Sequence, residues 1–128
     1  MHTPNKNHKN IHSFKAAYNG LKIAFITQKH IKIHFILAIL TLITSFLLKI
    51  SILEYSIILL CIAMVISLEL INTAIEYLSD LHSKEFNLKI KAIKDVSASS
   101  VLCSCITSFI IGCIILIPKC LNLIENWN

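Results

Sequence analysis

Residues 55–80 read YSIILLCIAMVISLELINTAIEYLSD, and this stretch decides the fold. Its first half carries no charged residue, whereas Glu69, Asn72, Glu76 and Asp80 follow at helical spacing. At 100° per residue, these four side chains fall within an arc of about 80° on one face of a helix. An ionisable side chain in the middle of a membrane span costs roughly 2.5–3.5 kcal/mol even on insertion scales. Three carboxylates on one face therefore need an interior surface, cations or a metal.

The composition of the whole chain agrees with a membrane protein. Of the 128 residues, 55% are hydrophobic and 15% are charged, and the mean hydropathy is +0.73. The net charge of +5 comes from twelve lysines without any arginine, and these lysines flank apolar runs. Such a fringe suits an anionic membrane surface better than nucleic acid. Only Gly20 and Gly112 are glycines, which excludes the Gly-rich phosphate loops of soluble nucleotide-binding proteins.

The apolar runs predict three membrane-spanning helices in one domain, residues 33–118. We expect the spans at about Ile33–Leu48, Tyr55–Leu78 and Val96–Ile117, with Pro118 ending the third. Residues 1–10 are polar and predict a disordered tail, and residues 119–128 a short C-terminal tail. Residues 11–32 predict an amphipathic helix on the membrane surface, with apolar residues on one side and lysines along its flank. The fold class is thus an all-α integral membrane protein with one surface helix and three transmembrane helices.

The distribution of lysines predicts the orientation in the membrane. The Lys49 link between the first two spans and the Lys119 end each hold a single lysine. Ten others lie before the first span or between the second and third: Lys6, Lys9, Lys15, Lys22, Lys29, Lys32, Lys84, Lys89, Lys91 and Lys94. The positive-inside rule then places the N-terminus and the 79–95 loop in the cytoplasm and the C-terminus outside.

Two interpretations of the acidic stripe are possible on the residues alone. A polar stripe can hold helices together, but a single Asn or Thr does that, and three carboxylates on one face repel each other. Crowded carboxylates attract a divalent cation and can supply a base. The functional candidates are a membrane kinase and a small ion- or proton-coupled transport subunit. Lys94 and Asp95, at the start of the third span, favour the kinase because a lysine there can neutralise phosphate. The five cysteines predict buried apolar positions rather than a metal site.

The pattern Glu69-x-x-Asn72-x-Ala-x-Glu76-x-x-x-Asp80, followed by Lys94-Asp95 and a third span rich in small residues, resembles the prokaryotic diacylglycerol kinase family. The resemblance covers residues 13–118. The runs Ile31-Lys-Ile-His34, Lys49-x-Ser51-x-x-Glu54 and Ile-Pro118-Lys119 are more similar to its undecaprenol kinase branch. It implies a homo-oligomer, as a trimer with shared sites, in the bacterial cytoplasmic (inner) membrane. The implied reaction transfers the γ-phosphate of ATP, with Mg²⁺, to the hydroxyl of a membrane lipid, undecaprenol or diacylglycerol.

The resemblance also implies roles for individual residues. Glu69 corresponds to the general base, and Asn72 to a residue that positions the reacting groups. Glu76 corresponds to a ligand of the magnesium on the nucleotide. The family has a glutamate where this chain has Gln28, which can offer a carbonyl oxygen to the metal but no charge. Contacts to the nucleotide are implied for Asp80, Glu85, Lys94 and Asp95.

Overall fold

The structure is a computed structural model that describes residues 6–82 and 87–125, and it consists of four helices. These are α1 (Lys6–Thr27), α2 (Lys29–Leu47), α3 (Ile52–His82) and α4 (Leu88–Glu125). Helices α2, α3 and α4 are each long and apolar enough to cross a membrane. The all-helical class and the three candidate spans are thereby confirmed for the described residues.

The chain between α1 and α2 bends at Gln28, where the sequence predicts one continuous helix from 11 to 32. Gln28 has an extended backbone (φ −103°, ψ 123°), and α2 starts at the next residue. Neither glycine nor proline marks this break. The physical cause is tertiary, because the side chains of Thr27 and Gln28 both form hydrogen bonds with α3. Helix α1 also begins at Lys6, five residues before the predicted start, so residues 6–10 are helical where a disordered tail is expected.

Helix α1 exposes its apolar stripe in the single chain. Phe14 is 82% exposed and Tyr18 is 65% exposed, while Ala24 is buried. Further along, the ring of Phe25 packs edge-on against Phe35 of α2, with 5.6 Å between the ring centroids. No part of the described chain covers the beginning of the stripe, and its placement on a membrane surface stays a prediction.

The three long helices pack along seams with a seven-residue spacing. The buried residues Ile31, Ala38 and Ser45 mark the seam on α2. On α3 the corresponding buried series is Ile58, Val65, Asn72 and Ser79. Helix α3 packs against both α2 and α4. A seven-residue repeat keeps one face of a helix against its neighbour through a left-handed supercoil, so the face of α3 that carries Asn72 stays inside the bundle.

Helix α4 continues through Pro118 to Glu125, so the predicted stop at Ile117 and the tail from residue 119 are wrong. Proline lacks the N–H that a helix interior uses, but a membrane helix tolerates this loss where neighbouring groups compensate. Lys119, one residue beyond, forms a salt bridge of 3.6 Å with Glu54 at the start of α3. Glu54 also accepts a hydrogen bond of 2.7 Å from the Ser51 N–H, and its own N–H donates to the Ser51 hydroxyl. This reciprocal pair is a capping box, which fixes the start of α3 beside the end of α4.

Candidate active site

The polar stripe on α3 becomes more exposed from its middle toward its C-terminal end. Glu69, Asn72 and Thr73 are buried, at 5%, 7% and 4% exposure. Glu76 is half-buried, and the side chain of Asp80 is 64% exposed. Seven residues separate Glu69 from Glu76, which corresponds to about 10 Å along the helix. The stripe therefore has an interior part at Glu69 and an accessible part beyond Glu76.

Glu76 is the centre of a small cluster that joins α3 to the bend between α1 and α2. Its Oε2 accepts a hydrogen bond of 3.2 Å from Nε2 of Gln28. Its Oε1 accepts one of 3.2 Å from Nδ2 of Asn72. The Oδ1 atom of Asn72 is buried and has no hydrogen-bond partner. A buried acceptor without a partner costs about 1–3 kcal/mol, so this oxygen is available to a ligand at little expense.

The oxygen atoms of this cluster fit a magnesium ion. Among the described residues, no three His, Cys, Asp or Glu side chains lie close enough to hold a metal together. The predicted crowding of carboxylates is therefore replaced by one carboxylate, Glu76, between two amides. Mg²⁺ is commonly held by one or two carboxylates together with the phosphates of a substrate. The free Oδ1 of Asn72 points to such a ligand set, and a half-turn of the Gln28 amide exchanges its nitrogen for an oxygen.

Lys94 and Asp80 form a salt bridge between α4 and α3 at the accessible end of the stripe. The Lys94 side chain is 35% exposed and that of Asp80 is 64% exposed. Exposed ion pairs of this kind contribute only about 0–1 kcal/mol, so an incoming phosphate can replace Asp80 as the partner of Lys94. Asp95 is exposed beside this pair. Glu85 lies outside the described residues.

Glu69 lies apart from the Glu76 cluster, deeper in the bundle. The hydroxyl of Thr73 donates a hydrogen bond of 2.9 Å to the backbone carbonyl of Glu69. Cys105 on α4 is close enough to Glu69 to interact with its charge. The structure thus brings Gln28, Asn72 and Glu76 together and pairs Asp80 with Lys94, but it leaves Glu69 separate.

Two residues that the sequence analysis does not assign also belong to this region. Thr27 and Tyr77 share a hydrogen bond of 2.5 Å between their hydroxyl groups, which holds the end of α1 against α3. Their neighbours in the chain, Gln28 and Glu76, are the pair described above. A polar residue directly before Gln28 and an aromatic hydroxyl directly after Glu76 are the only signals that the sequence offers for this contact.

Fold and site together define a class of protein that is built within the membrane and has a phosphate-binding lysine at the membrane face. Comparison with known proteins decides between the kinase and the transport subunit. The sequence model of the prokaryotic diacylglycerol kinase matches residues 15–116, so the chain belongs to that family. It is accordingly a lipid kinase, a phosphotransferase with an alcohol as acceptor.

Two relatives illustrate the range within the family. The undecaprenol kinase of Bacillus subtilis (strain 168) is 38% identical over 119 residues, which cover 89% of this chain and 97% of that protein. The diacylglycerol kinase of Synechocystis sp. (strain ATCC 27184 / PCC 6803 / Kazusa) is 32% identical over 112 residues. That match covers 87% of this chain but 64% of the cyanobacterial protein.

Proposed function

We propose that this protein transfers the γ-phosphate of ATP to the hydroxyl of a membrane lipid, with Mg²⁺, and that Glu69 is the general base. The observation that carries the proposal is the division of one helix face into two parts. The Glu76 cluster is accessible from the membrane face, and Glu69 is buried about 10 Å deeper along α3. A nucleotide and a lipid approach from these two directions.

The accessible part of the site serves the nucleotide. Glu76, Asn72 and Gln28 hold magnesium through oxygen atoms, and Lys94 moves from Asp80 to the phosphates. Magnesium bound there supplies charge neutralisation across the phosphate chain. Asp80, Asp95 and Glu85 lie at or near the nucleotide, and Asp80 takes Lys94 back when the product leaves.

The buried part of the site serves the lipid. Glu69 accepts the proton of the lipid hydroxyl as its oxygen attacks the γ-phosphorus. The bond from the γ-phosphorus to the bridging oxygen breaks, and ADP leaves with that oxygen. Phosphoryl transfer requires in-line positioning, charge neutralisation and a base, and the chain offers a group for each.

The orientation of the bundle supports cytoplasmic access. The contacts of Gln28 with Glu76 and of Lys94 with Asp80 lie at one end of the bundle, and the Glu54–Lys119 pair lies at the other. Ten of the twelve lysines belong to the first end. By the positive-inside rule, the site faces the cytoplasm and the C-terminus lies outside the bacterial cytoplasmic membrane.

The acceptor should be undecaprenol rather than diacylglycerol, since the undecaprenol kinase matches over nearly its whole length and the branch-like sequence runs agree with it. The purified protein is given ATP in mixed micelles with each lipid at equal mole fraction, and phosphorylated lipid is measured. The Glu69→Gln variant provides the background. Faster phosphorylation of diacylglycerol would reverse this assignment.

The Gln28→Glu variant should lower the Mg²⁺ concentration needed for half-maximal rate, because it adds a second carboxylate beside Glu76. A contact with a charged group contributes about 1.5–3 kcal/mol, which predicts a shift on the order of tenfold. Magnesium is titrated at saturating ATP, and Gln28→Ala serves as the matched variant without any ligand oxygen. If neither variant moves the magnesium titration, Gln28 does not belong to the metal site.

A homotrimer with sites shared between subunits is part of the proposal. The burial of Glu69 within one chain removes part of the need for a neighbour. The remaining support is the exposed run of small residues 98–100 on α4, which permits close helix approach, and the open surface of α1.

Two inactive variants, Gly20→Leu and Glu69→Gln, should regain a fraction of the parental activity when they are dissociated, mixed and reassembled. A Cβ at Gly20 meets nothing within 4 Å, so leucine there leaves the chain intact and affects only what docks on α1. Mixtures of Glu69→Gln with Glu76→Gln are the control and stay inactive, since both defects lie on α3. Co-assembled chains that remain inactive in the first mixture would show that each subunit has its own complete site.

A further inference from the structure

An apolar groove of about 470 Å³ runs along α3 between α2 and α4. Small side chains on all three helices create its width, among them Ala38 on α2, Cys61 on α3 and Gly112 on α4. The volume lies within the roughly 300–1,000 Å³ of pockets that bury most of a small ligand. All three helices are candidate membrane spans, so the groove is available to hydrocarbon.

One end of the groove adjoins the proposed base. Cys105 lines the groove and also interacts with the charge of Glu69. Val65, one helical turn before Glu69, lines it as well. His34 lines the groove from α2, six residues or about 9 Å beyond Gln28. A chain lying in the groove therefore has its polar end beside Glu69.

The dimensions of the groove distinguish a hydrocarbon chain from a helix of a second subunit. Along α4 the groove extends from Cys105 to Ile117, which is about 18 Å by helix rise. A volume of 470 Å³ over that length gives a mean cross-section of about 26 Å². A helix about 10 Å in diameter has a cross-section near 80 Å² and does not fit. An extended hydrocarbon chain is much narrower than a helix.

We propose that this groove holds the hydrocarbon chain of the acceptor lipid, with the hydroxyl beside Glu69, and that Gly112 determines how bulky a chain it accepts. The inference rests on the proposed lipid kinase function and adds the site of the chain. A Cβ at Gly112 meets nothing within 4 Å, so a larger side chain there occupies the groove without displacing the helices. Gly112 is thus a specificity-determining residue at a distance from the reacting atoms.

Replacement of Gly112 by alanine and by leucine tests this role through the kinetics. Leucine should raise the KM for undecaprenol on the order of tenfold or more, and alanine less, while the KM for ATP stays unchanged. Thr107→Leu adds similar bulk on an exposed position of α4 outside the groove and should leave the lipid KM at the parental value. A folded Gly112→Leu protein with the parental lipid KM overturns the inference. A parent protein that phosphorylates no lipid would instead overturn the proposed function.

Labelling of cysteines tests the groove without relying on activity. Two proteins are prepared in which four cysteines are replaced by alanine, one keeping Cys105 in the groove and one keeping Cys103, which is exposed two residues away. At ten times its Kd, undecaprenol should slow reaction of Cys105 with a membrane-permeant maleimide about tenfold and leave Cys103 unaffected. Phosphatidylcholine at the same mole fraction is the control lipid.

The labelling also identifies the wrong occupant. Equal slowing at both cysteines, or none at Cys105, contradicts a chain site in the groove. If Cys105 is unreactive without the acceptor and becomes reactive only when subunits are dissociated by dilution, a second copy covers the groove and the inference fails.

Discussion

Glu69→Gln is expected to lower kcat by about two to four orders of magnitude, the usual contribution of a general base. The affinity for ATP and magnesium should remain at the parental value, because Glu69 lies about 10 Å along α3 from the Glu76 cluster. Glutamine keeps the volume of the buried side chain, so the packing at this position changes little. The measurement combines turnover in mixed micelles with nucleotide binding by calorimetry.

The matched control for this experiment is Glu54→Gln, which makes the same chemical change at the other end of α3. Glu54 belongs to the capping box and the salt bridge with Lys119, so its loss affects stability and not the reacting groups. Activity of Glu69→Gln comparable with that of the parent would end the assignment of Glu69 as the base.

Glu76→Gln is expected to raise the Mg²⁺ concentration for half-maximal rate by one order of magnitude or more. The substitution removes the only carboxylate of the cluster and the acceptor that Gln28 and Asn72 share. A hydrogen bond or ligand contact with a charged group contributes about 1.5–3 kcal/mol, which corresponds to at least tenfold in affinity. A magnesium titration at saturating ATP measures the shift.

A charge exchange makes this test specific. The double variant Gln28→Glu with Glu76→Gln moves the carboxylate from α3 to the bend and should recover part of the lost magnesium affinity. A purely structural role of Glu76 predicts no recovery. An unchanged magnesium requirement in the single variant would remove Glu76 from the metal site.

The helical parts of this structure could be predicted from the sequence because they depend on local pattern. The apolar runs and the spacing of Glu69, Asn72 and Glu76 determine that α3 spans the membrane with a polar face. The prediction that three acids crowd together was less accurate, since seven residues of helix separate Glu69 from Glu76. Helical periodicity reports which residues share a face, but it does not report which of them meet.

The two interruptions show where local pattern is insufficient. Pro118 predicts the end of α4, yet the helix continues to Glu125 and Lys119 reaches Glu54. At Gln28 nothing in the sequence predicts a break, and the bend exists because Gln28 contacts a residue 48 positions away. Contacts over such separations depend on how the helices pack.

The unequal ends of the bundle have a mechanical consequence. At the Glu54–Lys119 end, a short turn joins α2 to α3, and the capping box and salt bridge connect α3 to α4. At the other end, the helices are joined by single polar contacts of Glu76 and Lys94, which a substrate can replace. The three helices therefore resemble the arms of tweezers, with the pivot at the Glu54–Lys119 end. Their tips separate most where the nucleotide enters, and a small rotation at the pivot is enough to admit it.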